Sequence, residues 1–583
     1  MKSLLRFKEF FLRYRREYAL GLAFLLVTNA LTLMMPWILK LAIDSLRIPH
    51  LERSVLAYFA LILMGGAVVQ AIIRTQSRLY ILGISRRFEV DVQNAVFRHL
   101  ETLAPSFYAR WNTGDLMSRL INDIRALRGV AGFSVLYSAN AAFLFTMAFT
   151  SMAFIDVTLT LWAMAAFPLI ILIIKLTSKP LYVRSRSAQE KLSQLSDHLQ
   201  ENLTGIQIVK SYAMEAFRVR RFEALSKEYL KRNMALARKE ALLSPSFVAT
   251  EGLGILLVLW KGGERLIAGA ITPGDFVAFH AYLALLIWPM QALGWLLNTL
   301  QRGAAASDRL HQILSTQPTI LDSSPPDGPD PSWHARGDVE ARHLNFSYNG
   351  RPALADVSFL MRGGSTLGVV GKVGSGKSTL AKALPRLIEV PPGAVFIGGR
   401  DVTELPLGEL RRRIGYVPQE AFLFSMTVRE NVAFGRASAG MDEVRRSCRT
   451  ARFDGEVAAF PAGYETLVGE RGITLSGGQR QRGALARALL IEPDILILDD
   501  AFSSVDSETE SSILKELRAL RRDGTTLIIS QRISTVRHAD LIIVLDEGRV
   551  LEQGNHAELL RRGGLYARLH EQQRLKEELE KVT

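Results

Sequence analysis

The sequence predicts an α-helical membrane domain of about six long spanning helices, fused to an α/β P-loop domain that cradles a nucleotide. Three observations carry that expectation. Apolar residues make up 48% of the 583 residues, beside 22% charged ones, and they concentrate in the first half of the chain. Runs close to the ~20 apolar residues that cross a hydrocarbon layer recur before Gly303. From Asp338 onward, short β-branched runs alternate with helical stretches, and one of them leads into the glycine-rich segment Gly371–Ser378. A chain of this length exceeds one ordinary domain. The expected division is a membrane domain at 1–315, a linker at 316–333 and a nucleotide-binding domain at 334–583.

Taken in order, Lys2, Arg6, Lys8, Arg13, Arg15 and Arg16 precede the first apolar run, as they would in a signal peptide. That run, Tyr18–Ile43, is too long for a signal peptide, and comparable runs follow it. Ser3–Arg16 reads as an amphipathic helix lying on the inner membrane face, or as the plain positive flank of the first span. The spans are expected near Tyr18–Ile43, Val55–Tyr80, Val130–Phe154, Val157–Lys175, Ser246–Lys261 and Phe276–Leu300. The fifth is interrupted by Pro245, Glu251, Gly252 and Gly254.

The connection after the second span carries Arg86, Arg87, Arg98, Arg110, Arg119 and Arg125, and the one after the fourth is equally basic, whereas the alternate loops are short and charge-poor. The positive-inside rule therefore places both long connections and both termini in the cytoplasm. Segments such as Ala188–Tyr229 have helical apolar spacing and few breakers, so they should continue the spans as helices. Thr316–Trp333, rich in Pro, Ser, Asp and Gly, reads as the linker. The net charge of +14 is spread between apolar segments, which suits anionic headgroups and not a nucleic-acid groove. Cys448 is the single cysteine, so no internal disulfide and no cysteine-based zinc site is expected.

Gly371-Lys372-Val373-Gly374-Ser375-Gly376-Lys377-Ser378 is a complete Walker A loop between a strand pattern, Thr366–Val370, and the expected helix Ser378–Ile388, whose Thr379 also belongs to the nucleotide site. Its glycines let backbone N–H groups wrap phosphates at a helix N-terminus. Lys377 would reach the β- and γ-phosphates of ATP, and Ser378 would ligand Mg²⁺. Ile495-Leu496-Ile497-Leu498-Asp499 is a buried parallel-strand pattern ending in a carboxylate, a Walker B, with Asp499 in the Mg²⁺ shell. Between them, Leu475-Ser476-Gly477-Gly478-Gln479 opens another helix and forms a second anion-binding start.

With these motifs in this order, the chain resembles the ATP-binding-cassette (ABC) family. The similarity extends over nearly the whole chain, in the plan of a half-size type IV exporter with a fused membrane domain. In that family two cassettes close head to tail, so each ATP lies between one chain's Walker A and the other's signature pentapeptide. The resemblance therefore implies a second half-transporter as partner, and a multi-pass location in the inner (cytoplasmic) membrane. It casts Tyr348 as the aromatic that stacks on adenine, Gln419 as a Mg²⁺-sensing glutamine and Ser476–Gln479 as the signature. Ser503-Ser504-Val505-Asp506 resembles the loop that links the two ATP sites, and Glu470 the segment that senses the coupling helices. Thr113–Leu116 and Gly205–Glu215 resemble the surroundings of those helices.

Two positions depart from the family pattern. Where the family has a glutamate after the Walker B aspartate, this chain has Asp500, one methylene shorter. Where the family has a histidine that contacts the γ-phosphate, this chain has Gln531, which donates a hydrogen bond but carries no charge. Together they resemble the degenerate half of a heterodimeric bacterial multidrug exporter, similar in plan to the antigen-processing peptide transporter. The expected function is export of amphipathic solutes (drugs, lipids or peptides) with slow ATP turnover at this chain's own Walker site. A homodimeric lipid flippase and a cassette protein that gates a channel are the rival readings. Glu251 could line a polar cargo cavity or be hydrogen-bonded between helices. Asn29, Arg74, Asn140, His280 and Gln291 are polar span residues of the same kind. Glu571–Lys581 reads as a solvated charged helix.

Overall fold

The computed structural model describes residues 2–47, 52–322, 333, 335–469, 472, 474–521 and 524–582. Most of the expected linker, and Glu470, lie outside the described residues. The chain forms two compact units. One comprises Met1–Glu101 and Thr113–Thr316; the other comprises Thr102–Asn112 and Gln317–Thr583.

The first unit is helical throughout. Four helices among the described residues are long and apolar enough to cross a membrane: Arg15–Ser45, Arg53–Thr102, Thr113–Ile155 and Pro273–Leu314. This is consistent with six spans, the other two expected passages also being helical. At 50 residues, Arg53–Thr102 extends for about 75 Å, far beyond a ~30 Å hydrocarbon layer, so the span continues as a helix. The fourth expected span breaks after Met164 and restarts at Phe167. Pro168 stands in the first turn of the new helix, where its missing N–H costs nothing.

The fifth expected span corrects the sequence reading, because Leu243–Ile267 is one uninterrupted helix. Pro245 falls in its first turn, and Gly254 serves close packing, a Cβ there lying 3.2 Å from Leu283, whereas one on Gly252 would meet nothing within 4 Å. The N-terminal segment is a 3-10 turn, Lys2–Phe7, followed by a helix, Lys8–Arg13. It docks on protein through buried Phe7, through Phe11 against Phe88 at 5.0 Å, and through Arg6 with Asp308 at 2.8 Å.

Several of the unit's charges are paired between helices. Asp123 binds Arg309, Glu89 binds Arg128 at 2.9 Å, Lys40 binds Asp275 at 2.6 Å, and Asp156 binds Arg265. The Thr272 hydroxyl donates to Asp44 at 2.8 Å, tying the start of the last long helix to the end of the first.

The second unit holds two sheets. Its strands are β1 Val339–Tyr348, β2 Arg351–Met361, β3 Thr366–Gly371, β4 Val395–Ile397, β5 Arg400–Asp401, β6 Ile414–Val417, β7 Ile495–Asp499, β8 Thr525–Ile529, β9 Leu541–Asp546 and β10 Arg549–Gly554. One sheet runs β2-β1-β4-β5 and the other β10-β9-β3-β8-β7-β6. In the larger sheet β9, β3, β8, β7 and β6 are parallel, and β10 is antiparallel at the edge. Every residue of β7 and β8 is buried, which explains their continuous apolar runs. Asp499 pairs in register with Ile529, and Ile529 with Val369. The loops after β3, β7 and β8 therefore leave from one edge, the crevice in which open α/β sheets bind ligands.

Candidate functional site

β3 delivers the chain to Gly371, where a Cβ would lie 2.1 Å from the Leu545 carbonyl oxygen. Gly374 and Gly376 take positive φ, and Gly376, at φ 98°, caps the helix Lys377–Ala383. A Cβ on Gly376 would meet the Ala353 carbonyl at 2.3 Å, so no other residue keeps the loop in this shape.

Lys377 is buried, and its ammonium donates to the Gly371 carbonyl at 2.8 Å, the Lys372 carbonyl at 2.6 Å and the Ser375 hydroxyl at 3.4 Å. Burial pulls its pKa below the usual lysine range, against the opposing fields of Asp500 and Asp499. The Ser378 hydroxyl donates to Asp499 at 2.9 Å, joining the loop's helix to the end of β7. Thr379 is buried behind it. The Tyr416 hydroxyl donates to the other Asp499 oxygen at 3.3 Å. Burial raises the Asp499 pKa, while Ser378 and Tyr416 hold it down.

Asp500 takes a left-handed backbone, φ 50°, a region in which Asp is better tolerated than longer side chains. Its N–H donates to the Ile529 carbonyl at 2.9 Å, and its carboxylate accepts from Gln419 Nε2 at 3.5 Å. Burial raises its pKa, opposed by the Gln531 backbone N–H and the charges of Lys377 and Arg532. The Gln531 side chain is exposed. Its carbonyl accepts from Gln573 Nε2 at 2.7 Å, and Gln573 Oε1 accepts from the Ile533 N–H at 2.8 Å. Gln573 thus clamps the segment whose N–H reaches Asp500.

Ser476 caps the helix Gly477–Leu490 in a reciprocal capping box. It accepts from the Gln479 N–H at 3.2 Å, and its own N–H donates to Gln479 Oε1 at 2.9 Å. A Cβ on Gly478 would lie 2.8 Å from the Ser504 carbonyl oxygen. Buried Gln481 donates to the Ser503 hydroxyl at 2.7 Å and accepts from the Ser504 N–H at 2.9 Å. Tyr348, at the end of β1, meets Phe346 edge to face at 4.8 Å and leaves much of its ring exposed.

The fold therefore gathers Lys377, Ser378, Gln419, Asp499 and Asp500 into one cluster and connects Gln531 to it by main chain. Ser476–Gln479 form a second cluster, joined to the first along the chain through Ser503 and Ser504. Tyr416, Gln481 and Gln573 escaped the sequence reading. Tyr416 and Gln481 lay beside motifs, whereas Gln573 sits in a helix where nothing in the local pattern marks it. Glu251 is half-buried and, among the described residues, makes no hydrogen bond or ion pair.

A parallel sheet with a glycine loop, a buried lysine and a hydroxyl–carboxylate pair defines a P-loop ATPase domain. The ABC transporter model matches residues 354–503, and the ABC transporter transmembrane region matches residues 18–290. The chain belongs to the ABC transporter family: it is a multi-pass ABC exporter that couples ATP hydrolysis to transport. It is 35% identical to the probable multidrug resistance ABC transporter ATP-binding/permease protein YheI of Bacillus subtilis, over 97% of each chain. It is 33% identical to the ATP-dependent lipid A-core flippase of Syntrophus aciditrophicus, covering 96% of this chain and 92% of that one. Among solved structures, an ATP-bound bacterial Atm1-family ABC exporter matches at TM-score 0.79 and 27% identity, over 96% of this chain and 98% of that one.

Proposed function

We propose that this chain is the degenerate half of a heterodimeric exporter of amphipathic solutes. Residues 1–315 form its membrane domain, 316–333 its linker and 334–583 its cytoplasmic cassette. The observation that carries the reading is Asp500: a shortened carboxylate, held in a left-handed backbone, in line with an uncharged Gln531.

The residues present fit MgATP. The backbone N–H groups of Gly371–Thr379 would wrap the phosphates, with Lys377 redirected from loop carbonyls to phosphate oxygens and Tyr348 against the adenine. Ser378, Asp499 and Gln419 supply hard oxygen donors for Mg²⁺, which neutralises phosphate charge when bound. Asp500 would orient the attacking water, and its retreat by about 1 Å relative to a glutamate costs on the order of a hundredfold. Gln531 would donate to the γ-phosphate without adding charge. Ser476–Gln479 keep an intact helix start for the partner's ATP, so this chain completes the competent site while turning over its own slowly. Cassette closure would reach the spans through their helical extensions, in an inner membrane with both termini cytoplasmic.

The test is steady-state ATPase of the chain alone and with its partner. Asp500→Ala should cost little, and neutralising the partner's corresponding acid should abolish activity. Comparable loss from either change, or full activity without a partner, refutes the proposal. That second outcome is the one expected of a homodimeric flippase, a reading supported by the similarity to the lipid A-core flippase and by the complete P-loop and signature in one chain.

A further inference from the structure

We infer that the membrane domain carries an anion-selecting cargo site built around Arg74 and Arg78, so that the solute exported is an anionic amphipath. This rests on the exporter reading and names its substrate class. A cavity of about 350 Å³ opens among the helices Arg15–Ser45, Arg53–Thr102, Val135–Ile155 and Pro273–Leu314. Arg74 and Arg78 both line it, one turn apart on one helix face. No aspartate or glutamate lines it.

Several arginines of this unit are matched across helices, as in Arg128 with Glu89, Arg265 with Asp156 and Arg309 with Asp123. Among the described residues, Arg74 and Arg78 have no ion pair or hydrogen bond. An ionisable residue that lines a cavity of a membrane bundle without a protein partner is open to a ligand. Both arginines are exposed in the single chain, and they share this cavity with Thr28, Asn29 and Ser77, which are buried in the bundle.

The opposite wall is aromatic. Tyr137 and Trp288 line the cavity with ring centroids 5.3 Å apart, and Trp295 lies 5.7 Å beyond Tyr137. From Val55 to Arg74 is about 28 Å of helix, which puts the guanidiniums near the far boundary of a ~30 Å layer. That boundary adjoins the long basic connection after the second span. The site therefore offers two fixed positive charges at headgroup depth and a flat apolar surface beside them. Its volume sits at the low end of ligand pockets, ~300–1,000 Å³, and suits a compact ring system or one acidic headgroup.

The experiment measures binding of tritiated taurocholate, an anion, and of rhodamine 6G, a cation, to the full-length chain in neutral phosphatidylcholine nanodiscs. Wild type should prefer the anion. Arg74→Gln with Arg78→Gln should weaken taurocholate binding on the order of tenfold or more and leave rhodamine binding in place, while the double Lys variant should retain most of the anion affinity. Equal binding of both probes, or a double Gln variant within twofold of wild type, overturns the site. ATP-driven uptake in proteoliposomes tests the underlying reading separately. Rhodamine transport without taurocholate binding leaves the exporter and removes the site; selective anion binding with no transport of any amphipath does the reverse. Faster translocation of fluorescent phosphatidylglycerol than of phosphatidylcholine assigns the anion to a lipid headgroup, and taurocholate uptake without it assigns a soluble amphipath.

Discussion

Restoring the missing methylene at position 500 tests whether reach limits this chain's own site. In Asp500→Glu the carboxylate advances by about 1 Å, a displacement that in a positioned reaction is worth on the order of a hundredfold, or about 2.7 kcal/mol of barrier. The same change has a cost that only the structure reveals. Position 500 is left-handed, φ 50°, where a residue longer than Asp loses roughly 1 kcal/mol, equivalent to about 2–4 °C in Tm for a domain of this size. The expected result is a variant that melts slightly earlier and hydrolyses ATP faster by one to two orders of magnitude. The assay is phosphate release in proteoliposomes with the partner's corresponding acid neutralised, so that only this chain's site turns over, normalised to azido-ATP photolabelling so that occupancy is held equal. An Asp500→Glu rate within threefold of wild type at equal labelling would refute the reasoning. The uncharged Gln531, and not the carboxylate's reach, would then set the rate.

Gln573→Ala removes both hydrogen bonds that clamp the Gln531–Ile533 segment. Each is worth about 1 kcal/mol, so with the partner's corresponding acid neutralised the residual kcat of this chain's own site should fall several-fold with little change in KM for ATP, and Gln573→Glu, which keeps only the acceptor, should be intermediate. Gly376→Ala places a Cβ 2.3 Å from the Ala353 carbonyl at φ 98°; azido-ATP labelling should drop at least about tenfold, since the left-handed penalty alone is roughly 1–2 kcal/mol. Asp500→Asn should raise the Tm of the nucleotide-free chain at pH 7.5. Burial lifts the Asp500 pKa in the folded state, so this group's stabilising contribution, complete below its unfolded pKa, is lost as pH rises through its folded pKa. The gain should shrink as the melt is repeated at increasingly acidic pH. Cys448 is fully buried and its thiol is pushed up to about 12, so N-ethylmaleimide should label it at pH 7.5 only after unfolding.

Much of this protein was legible one residue at a time. Walker A, Walker B and the signature are local devices: a glycine loop before a helix, a carboxylate at a strand end, a serine cap. Their chemistry follows from residues within about one turn of each other; the fold brings Lys377, Ser378 and Asp499 together and sets Ser476–Gln479 at a helix start. The spans were legible for a similar reason, because crossing a membrane demands length and apolarity and little else. Leu243–Ile267 shows the limit of that logic. Pro245 and three nearby polar or glycine residues read as an interruption, yet Pro245 falls in a first helical turn and Gly254 packs against Leu283.

What the sequence alone determined was the order of two domains, their helix and strand content, the ATP chemistry and the two departures at Asp500 and Gln531. Tertiary structure decided what no window along the chain contains. Gln573 reaches Gln531 across 42 residues and Arg128 reaches Glu89 across 39, while the Arg74–Arg78 face meets Tyr137 and Trp288 only because four helices converge on one cavity. Local propensity depends on neighbours in sequence, so it marks motifs and spans. A charge's partner, or its lack of one, depends on neighbours in space, and those exist only once the helices have packed.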